Sequence, residues 1–167
     1  FTESRFDSTA VSEAGAQGVM QVMPETLRGF NIPDSLHNDN RTNIMTAAKL
    51  LQSLEKQFRH IKAPEERINF ILASYNAGFG YIHDAMRLAG KYGKDRYVWN
   101  DNVETYLRLK NDSIYYTDSL CRNGRFKATE TILFVRKVQH KYSEYRLREE
   151  AFLQAFQSVE EGSGDAM

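Results

Sequence analysis

The chain has 167 residues, with 22 basic and 22 acidic side chains and a formal net charge of zero. A chain of this length buries about 70% of its unfolded surface, so one domain with a real core is expected. The charge balance leaves no basic field for nucleic acid, no run of about 18 apolar residues predicts a membrane span, and the lone Cys121 excludes both an intrachain disulfide framework and a cysteine-rich zinc site.

The first residue is Phe1 rather than Met, without a charged start and apolar stretch of the secretory kind. The chain therefore reads as a processed piece of a longer one, with any targeting signal and further domain upstream. Its first part lacks helical rhythm. Glu3-Ser4-Arg5-Phe6 leads into a segment from Ser12 to Thr26 that holds Gly15 and Gly18, three apart, and few charges. Such glycines allow positive φ or close backbone approach, and Met20, Val22 and Met23 are suited to wall a cavity. A carboxylate against such a wall is poorly solvated, so its pKa rises and it can act as a general acid near neutrality. Packing of a Gly/Ala-rich loop against helices is the blander alternative.

Downstream the pattern is helical. Ile44, Ala47, Ala48, Leu51, Leu54, Phe58 and Ile61 recur at steps of three and four, which predicts one helix stripe. Pro64 with Glu65 and Glu66 predicts the next helix start, since proline fits a first turn and acids favour the positive end of the dipole. That helix is expected to turn Ile68, Ile71, Leu72 and Tyr75 inward and to stop near Gly78. Ile82, Ala85, Met86 and Ala89 predict another, closed by Gly90 and Gly93. Val103, Tyr106 and Leu107 predict a short helix. Thr131 is placed as the cap of a long one through Ile132, Val135, Val138 and Tyr142, with a further helix around Phe152 and Phe156. Residues 160–167 (EEGSGDAM) read as a disordered tail. Period-two alternation between hairpin turns is missing, so the expected class is mostly α, a single helical domain.

Three motifs then carry a resemblance. Glu3-Ser4, Ser12 and Gly15-Ala16-x-Gly18-Val19-Met20-Gln21-x-Met23-Pro24-x-Thr26 resemble the signature of the soluble lytic transglycosylase catalytic domain, of the lysozyme-like superfamily. Leu72-Ala73-Ser74-Tyr75-Asn76-Ala77-Gly78 is similar to that family's A-Y-N-A-G helix end, and Glu130-Thr131-Ile132-Leu133-Phe134-Val135 to its late E-T-x-x-Y-V block. The blocks occur in the family's order over about residues 1–145, leaving 146–167 as a helical extension and tail. The stretch 81–89 with Trp99 resembles the membrane-bound members. Such a domain is a lysozyme-like helical fold with an active-site cleft that takes peptidoglycan glycan strands as partner.

The resemblance implies cleavage of the β-1,4 bond between N-acetylmuramic acid and N-acetylglucosamine, with formation of a 1,6-anhydro ring and without cofactor or metal. It places the catalytic acid at Glu3, which protonates the leaving oxygen and later takes a proton from the muramic C6 hydroxyl. Most glycosidases use two carboxylates. Asp7 reads instead as a local cap, and Glu13 and Glu25 as solvated charges. Ser12, Met20 and Gln21 of the first motif, with Tyr75 and Asn76 of the second, are the candidate substrate-binding residues; core packing is an equal reading for Tyr75. Phe134 stands where the family has tyrosine, which removes a hydroxyl. The family's glutamate ends a helix, whereas only Phe1 and Thr2 precede Glu3, so upstream residues are expected to support it. A periplasmic or envelope location, with outer-membrane association through an upstream segment, follows from the resemblance. A hydrolytic muramidase and a catalytically weak peptidoglycan-binding domain are the competing readings. His37, His60, His83 and His140 show no paired metal-ligand spacing.

Overall fold

The computed structural model describes the backbone of residues 1–164 and the side chains of residues 1–154. After an irregular N-terminal segment come α1 (Pro24–Gly29), a 3-10 turn (Asp34–Leu36), α2 (Asn40–Phe58), α3 (Pro64–Ala77) and α4 (Phe79–Lys91). A π-type turn (Trp99–Val103), α5 (Glu104–Leu109), the one-turn α6 (Ser113–Tyr116) and α7 (Thr129–Gly164) complete it. Among the described residues β pairing is confined to the isolated bridges Val11–Gln17 and Gln17–Val22. The mostly helical, lysozyme-like class expected from the sequence is the one observed.

Local chemistry sets the boundaries. Asp39 caps α2 by accepting from the Thr42 N–H at 2.8 Å, which satisfies one of the helix's orphan donors. Pro64 opens α3 with Glu65 and Glu66 in its first turn, and Gly78 at φ 91° ends it. That backbone angle leaves the right-handed helix at no steric cost only for glycine. The same residue starts α4, so α3 and α4 meet at a sharp corner.

α3 is the central helix, packed by α2, α4, α7 and the π-type turn. Its Phe70 touches Phe58 of α2 and Trp99 of the turn, with ring centroids 5.7 and 5.6 Å apart. Ile82, Leu88, Val103, Leu107, Ile132 and Val135 close the rest of this core. A second, smaller core of Val22, Leu27 and Ala47 lies under the N-terminal segment, with Met20, Ile32 and Tyr75 against it.

Several expectations are corrected. Ile44 and Ile68 are exposed, at 49% and 42%. The buried arc of α2 is instead Asn43, Thr46, Ala47, Leu54 and Phe58. Polar residues can take that face because both are satisfied: Thr46 donates to the Thr42 carbonyl at 2.8 Å, and Asn43 bonds the N-terminal loop. Thr131 is no cap, since α7 begins at Thr129 and the Thr131 hydroxyl is turned inward, 2% exposed. The two C-terminal helices are one continuous α7, on which Tyr142 is exposed. Residues 160–164 belong to that helix rather than to a disordered tail; residues 165–167 and the Phe156 side chain lie outside the described residues.

Candidate active site

The site is built on the irregular segment before α1. Residues 1–5 make a single helical turn, the Arg5 N–H bonding the Phe1 carbonyl at 2.8 Å. Arg5 and Phe6 then adopt φ 56° and 68° and break it. With about 3.6 residues per turn, Phe1, Thr2 and Arg5 share one side, where they line a cavity with Lys137, His140 and Lys141 of α7. Glu3 and Ser4 take the other side. There the Ser4 hydroxyl donates to the Val19 carbonyl at 2.9 Å, fastening the turn to the Gly-Val-Met-Gln loop.

That loop is a tight reversal. Gln17 and Val22 exchange both backbone hydrogen bonds at 3.0 Å, leaving Gly18 to Gln21 as the turn. Gly18 at φ 74° and Gln21 at φ 49° supply the left-handed residues it needs. Gln21 tolerates its angle because its amide nitrogen donates to the carbonyls of Ala10 at 3.1 Å and Gly18 at 2.9 Å. Asn43 grips the loop from behind, accepting from the Met20 N–H at 2.9 Å and donating to the Gln17 carbonyl at 2.8 Å.

Glu3 is the titratable group this scaffold perturbs. Burial pushes its carboxyl up from 4.5 to about 7, against a smaller opposing pull from the chain's amino terminus. Its Oε1 is buried without a hydrogen-bond partner. A desolvated carboxyl lacking donors favours the protonated form, the state a general acid requires. Tyr75 is raised above its ordinary 10, first by burial and then by the neighbouring Glu3 charge. Its hydroxyl donates to the Met20 carbonyl at 2.6 Å. So Met20 is tied at both backbone ends, and its side chain packs on the small core.

The remaining expected residues sort by geometry. Asn76, exposed at the end of α3, accepts at Oδ1 from the Thr131 hydroxyl at 2.7 Å. That bond uses the amide oxygen and leaves the Asn76 amide nitrogen as a donor on an exposed residue. Ser12 is used inside its own turn, where its hydroxyl accepts from the Ala16 N–H at 3.0 Å. Asp7 accepts from the Thr9 N–H and hydroxyl, both at 2.8 Å, and Glu25 pairs with Arg28. Asp7, Glu13 and Glu25 are all exposed. Glu3 is thus the carboxylate of the N-terminal segment that is withdrawn from solvent.

Sequence reasoning missed Ser4, Asn43 and Thr131 as parts of this assembly. Thr131 and Ser4 stand inside the quoted motifs, but their partners are distant in sequence. Asn43 leaves one trace, a carboxamide on the buried arc of an amphipathic helix. The three motifs meet through hydrogen bonds: Tyr75 joins the second to the first, and Thr131 joins the third to the second.

A helical domain whose loop and central helix enclose one protonatable glutamate defines a lysozyme-like class of fold and site. Within that class the Transglycosylase SLT domain family model matches residues 1–98, and the chain belongs to that family. The membrane-bound lytic murein transglycosylase F of Desulfosudis oleivorans is 31% identical over 142 residues, covering 85% of this chain and 30% of that protein. That of Maricaulis maris is 33% identical over 146 residues, covering 87% and 30% respectively. The chain therefore spans about 30% of the length of these curated relatives.

Proposed function

We propose that this chain is the catalytic domain of a peptidoglycan lytic transglycosylase, with residues 1–145 as the catalytic unit and 146–167 as an extension. Glu3 in its protonated form donates to the glycosidic oxygen between N-acetylmuramic acid and N-acetylglucosamine as the C1–O bond breaks. The substrate's own acetamido oxygen stabilises the cation developing at C1, which replaces a second carboxylate. The Glu3 carboxylate then takes the proton of the muramic C6 hydroxyl, whose oxygen closes on C1. No water is consumed, and Glu3 ends protonated as it began. Asn76 offers its amide N–H groups to the sugar, and Ser12, Met20, Gln21 and Tyr75 are the other proposed substrate-binding residues.

The observation that carries this reading is the desolvated Glu3 carboxyl, with a pKa of about 7. Glu3→Gln keeps shape and removes the titrating proton, so peptidoglycan turnover falls roughly 10²- to 10⁴-fold in a folded protein. Turnover close to that of the parent would refute the assignment. The relatives' printed names place them at a membrane. We accordingly assign this chain to the bacterial cell envelope, on the periplasmic side, joined to an upstream domain and held at the outer membrane by a segment other than these helices. None of the described helices is long and apolar enough to cross a membrane.

A further inference from the structure

The peptide unit between Val19 and Met20 is gripped at both ends. Its N–H, that of Met20, is accepted by Asn43 Oδ1 at 2.9 Å. Its C=O, that of Val19, accepts the Ser4 hydroxyl at 2.9 Å. A peptide unit is a rigid plane with its N–H and C=O pointing in opposite directions. Fixing one end from α2 therefore fixes the other end, toward the residue beside Glu3. Asn43 is itself firmly anchored. It is 0% exposed, and its amide nitrogen holds the Gln17 carbonyl on the far side of the turn.

Gly18 gives an independent sign of the same fit. A Cβ there would stand 2.9 Å from both Cγ and Nδ2 of Asn43. The carboxamide occupies the space that a side chain at residue 18 would need. Asn43 and the turn are thus matched to each other more closely than ordinary packing requires.

We propose that Asn43 is a positioning residue of the active site, holding the Val19–Met20 peptide plane so that its carbonyl docks Ser4 and sets the Glu3 carboxyl in place. This rests on the reading of Glu3 as the acid. Asn43 does not touch the substrate. It acts through the plane, and through the adjoining Met20 carbonyl that receives Tyr75. A misplacement of about 1 Å transmitted from a remote residue can cost roughly 10²-fold in rate.

The test compares the parent with Asn43→Ala, Asn43→Asp and Glu3→Gln, assayed on peptidoglycan below each protein's unfolding midpoint and across the titration of Glu3. The charge that acts on Glu3 is the chain's amino terminus, and Glu3 in turn raises Tyr75; Asn43→Ala leaves both groups in place and adds no charge, whereas Asn43→Asp adds a carboxyl of its own. Asn43→Ala is expected to lower kcat per folded molecule roughly 10²-fold, with KM changing far less. The alkaline limb of the rate profile is expected to move down from about 7 toward 4.5 as water reaches the loosened carboxyl. Asn43→Asp keeps an acceptor for the Met20 N–H and loses the donor to Gln17, so its kcat falls between parent and Asn43→Ala. Should Asn43→Ala fail to fold, the uncharged Asn43→Ser decides by the same two readouts. Folded Asn43 variants with the parent's kcat and alkaline limb would overturn the proposal, as would a loss of kcat with the limb unmoved. Near-parent activity in Glu3→Gln would overturn it by a separate route, through the acid itself.

Discussion

At residue scale, the burial of Glu3 makes the stability of the fold sensitive to pH. Folding raises its pKa from 4.5 to about 7, so the native state binds this proton more tightly than the unfolded chain. The resulting stabilisation is complete below 4.5 and is lost as pH rises through about 7. Above that point the native protein carries a partly buried, poorly solvated charge. Glu3→Gln removes the charge, so in mildly alkaline buffer the variant should be more stable than the parent by on the order of 1 kcal/mol, a figure that allows for partial solvent screening. The difference should shrink or reverse in acid. Urea midpoints of both proteins on either side of neutrality check this, and a gap independent of pH would contradict it.

At the scale of elements, the helices are tied by buried charge as well as by apolar packing. Asp84 of α4 and Lys110 at the end of α5 are both wholly buried and 2.7 Å apart. Asp84 also accepts from the backbone N–H groups of Arg122 and Asn123 at 3.0 and 2.9 Å, and from Arg87. Burial alone would raise its pKa, but these donors outweigh burial and hold the carboxyl below its usual range. Removing one partner of a buried pair strands the other charge. Asp84→Asn should therefore cost about 3–5 kcal/mol, seen as a fall in melting temperature, while an unchanged melting temperature would show the network to be idle. None of this was legible in the sequence, where Asp84 and Lys110 look like surface charges. The helices themselves were legible, because Leu54, Phe58, Ile82 and Ala89 repeat at helical spacing and Pro64 and Gly78 punctuate them. Periodicity placed the α2 stripe slightly off, since it weighs Ile44 above Asn43 and cannot see that a loop satisfies the amide. For the candidate site, the motifs name the residues proposed, while the hydrogen bonds that unite the motifs arise only from the fold. The sequence alone suggests a helix end for the Thr131 hydroxyl because its Asn76 partner is distant in sequence.

For the whole molecule, the parts of the candidate site lie in the N-terminal segment, at the end of α3 and in the first turn of α7. At about 1.5 Å per residue, the 36-residue α7 is about 54 Å long, far longer than α3, against which it packs. Thr131, Ile132 and Val135 are buried, whereas Tyr142, Tyr145 and Leu147 are 63%, 54% and 66% exposed. A chain ending at residue 145 should therefore keep both the melting temperature and the specific activity of the full chain within error; a large loss of either would make the extension part of the catalytic unit. The central claim is that one desolvated glutamate and the substrate's own C6 hydroxyl complete the reaction without water. Mass spectrometry of the muropeptides released from purified peptidoglycan tests this most directly. The expected products carry 1,6-anhydromuramic acid ends, each one water lighter than the hydrolytic product; muropeptides ending only in reducing sugars would contradict a single-glutamate transglycosylation.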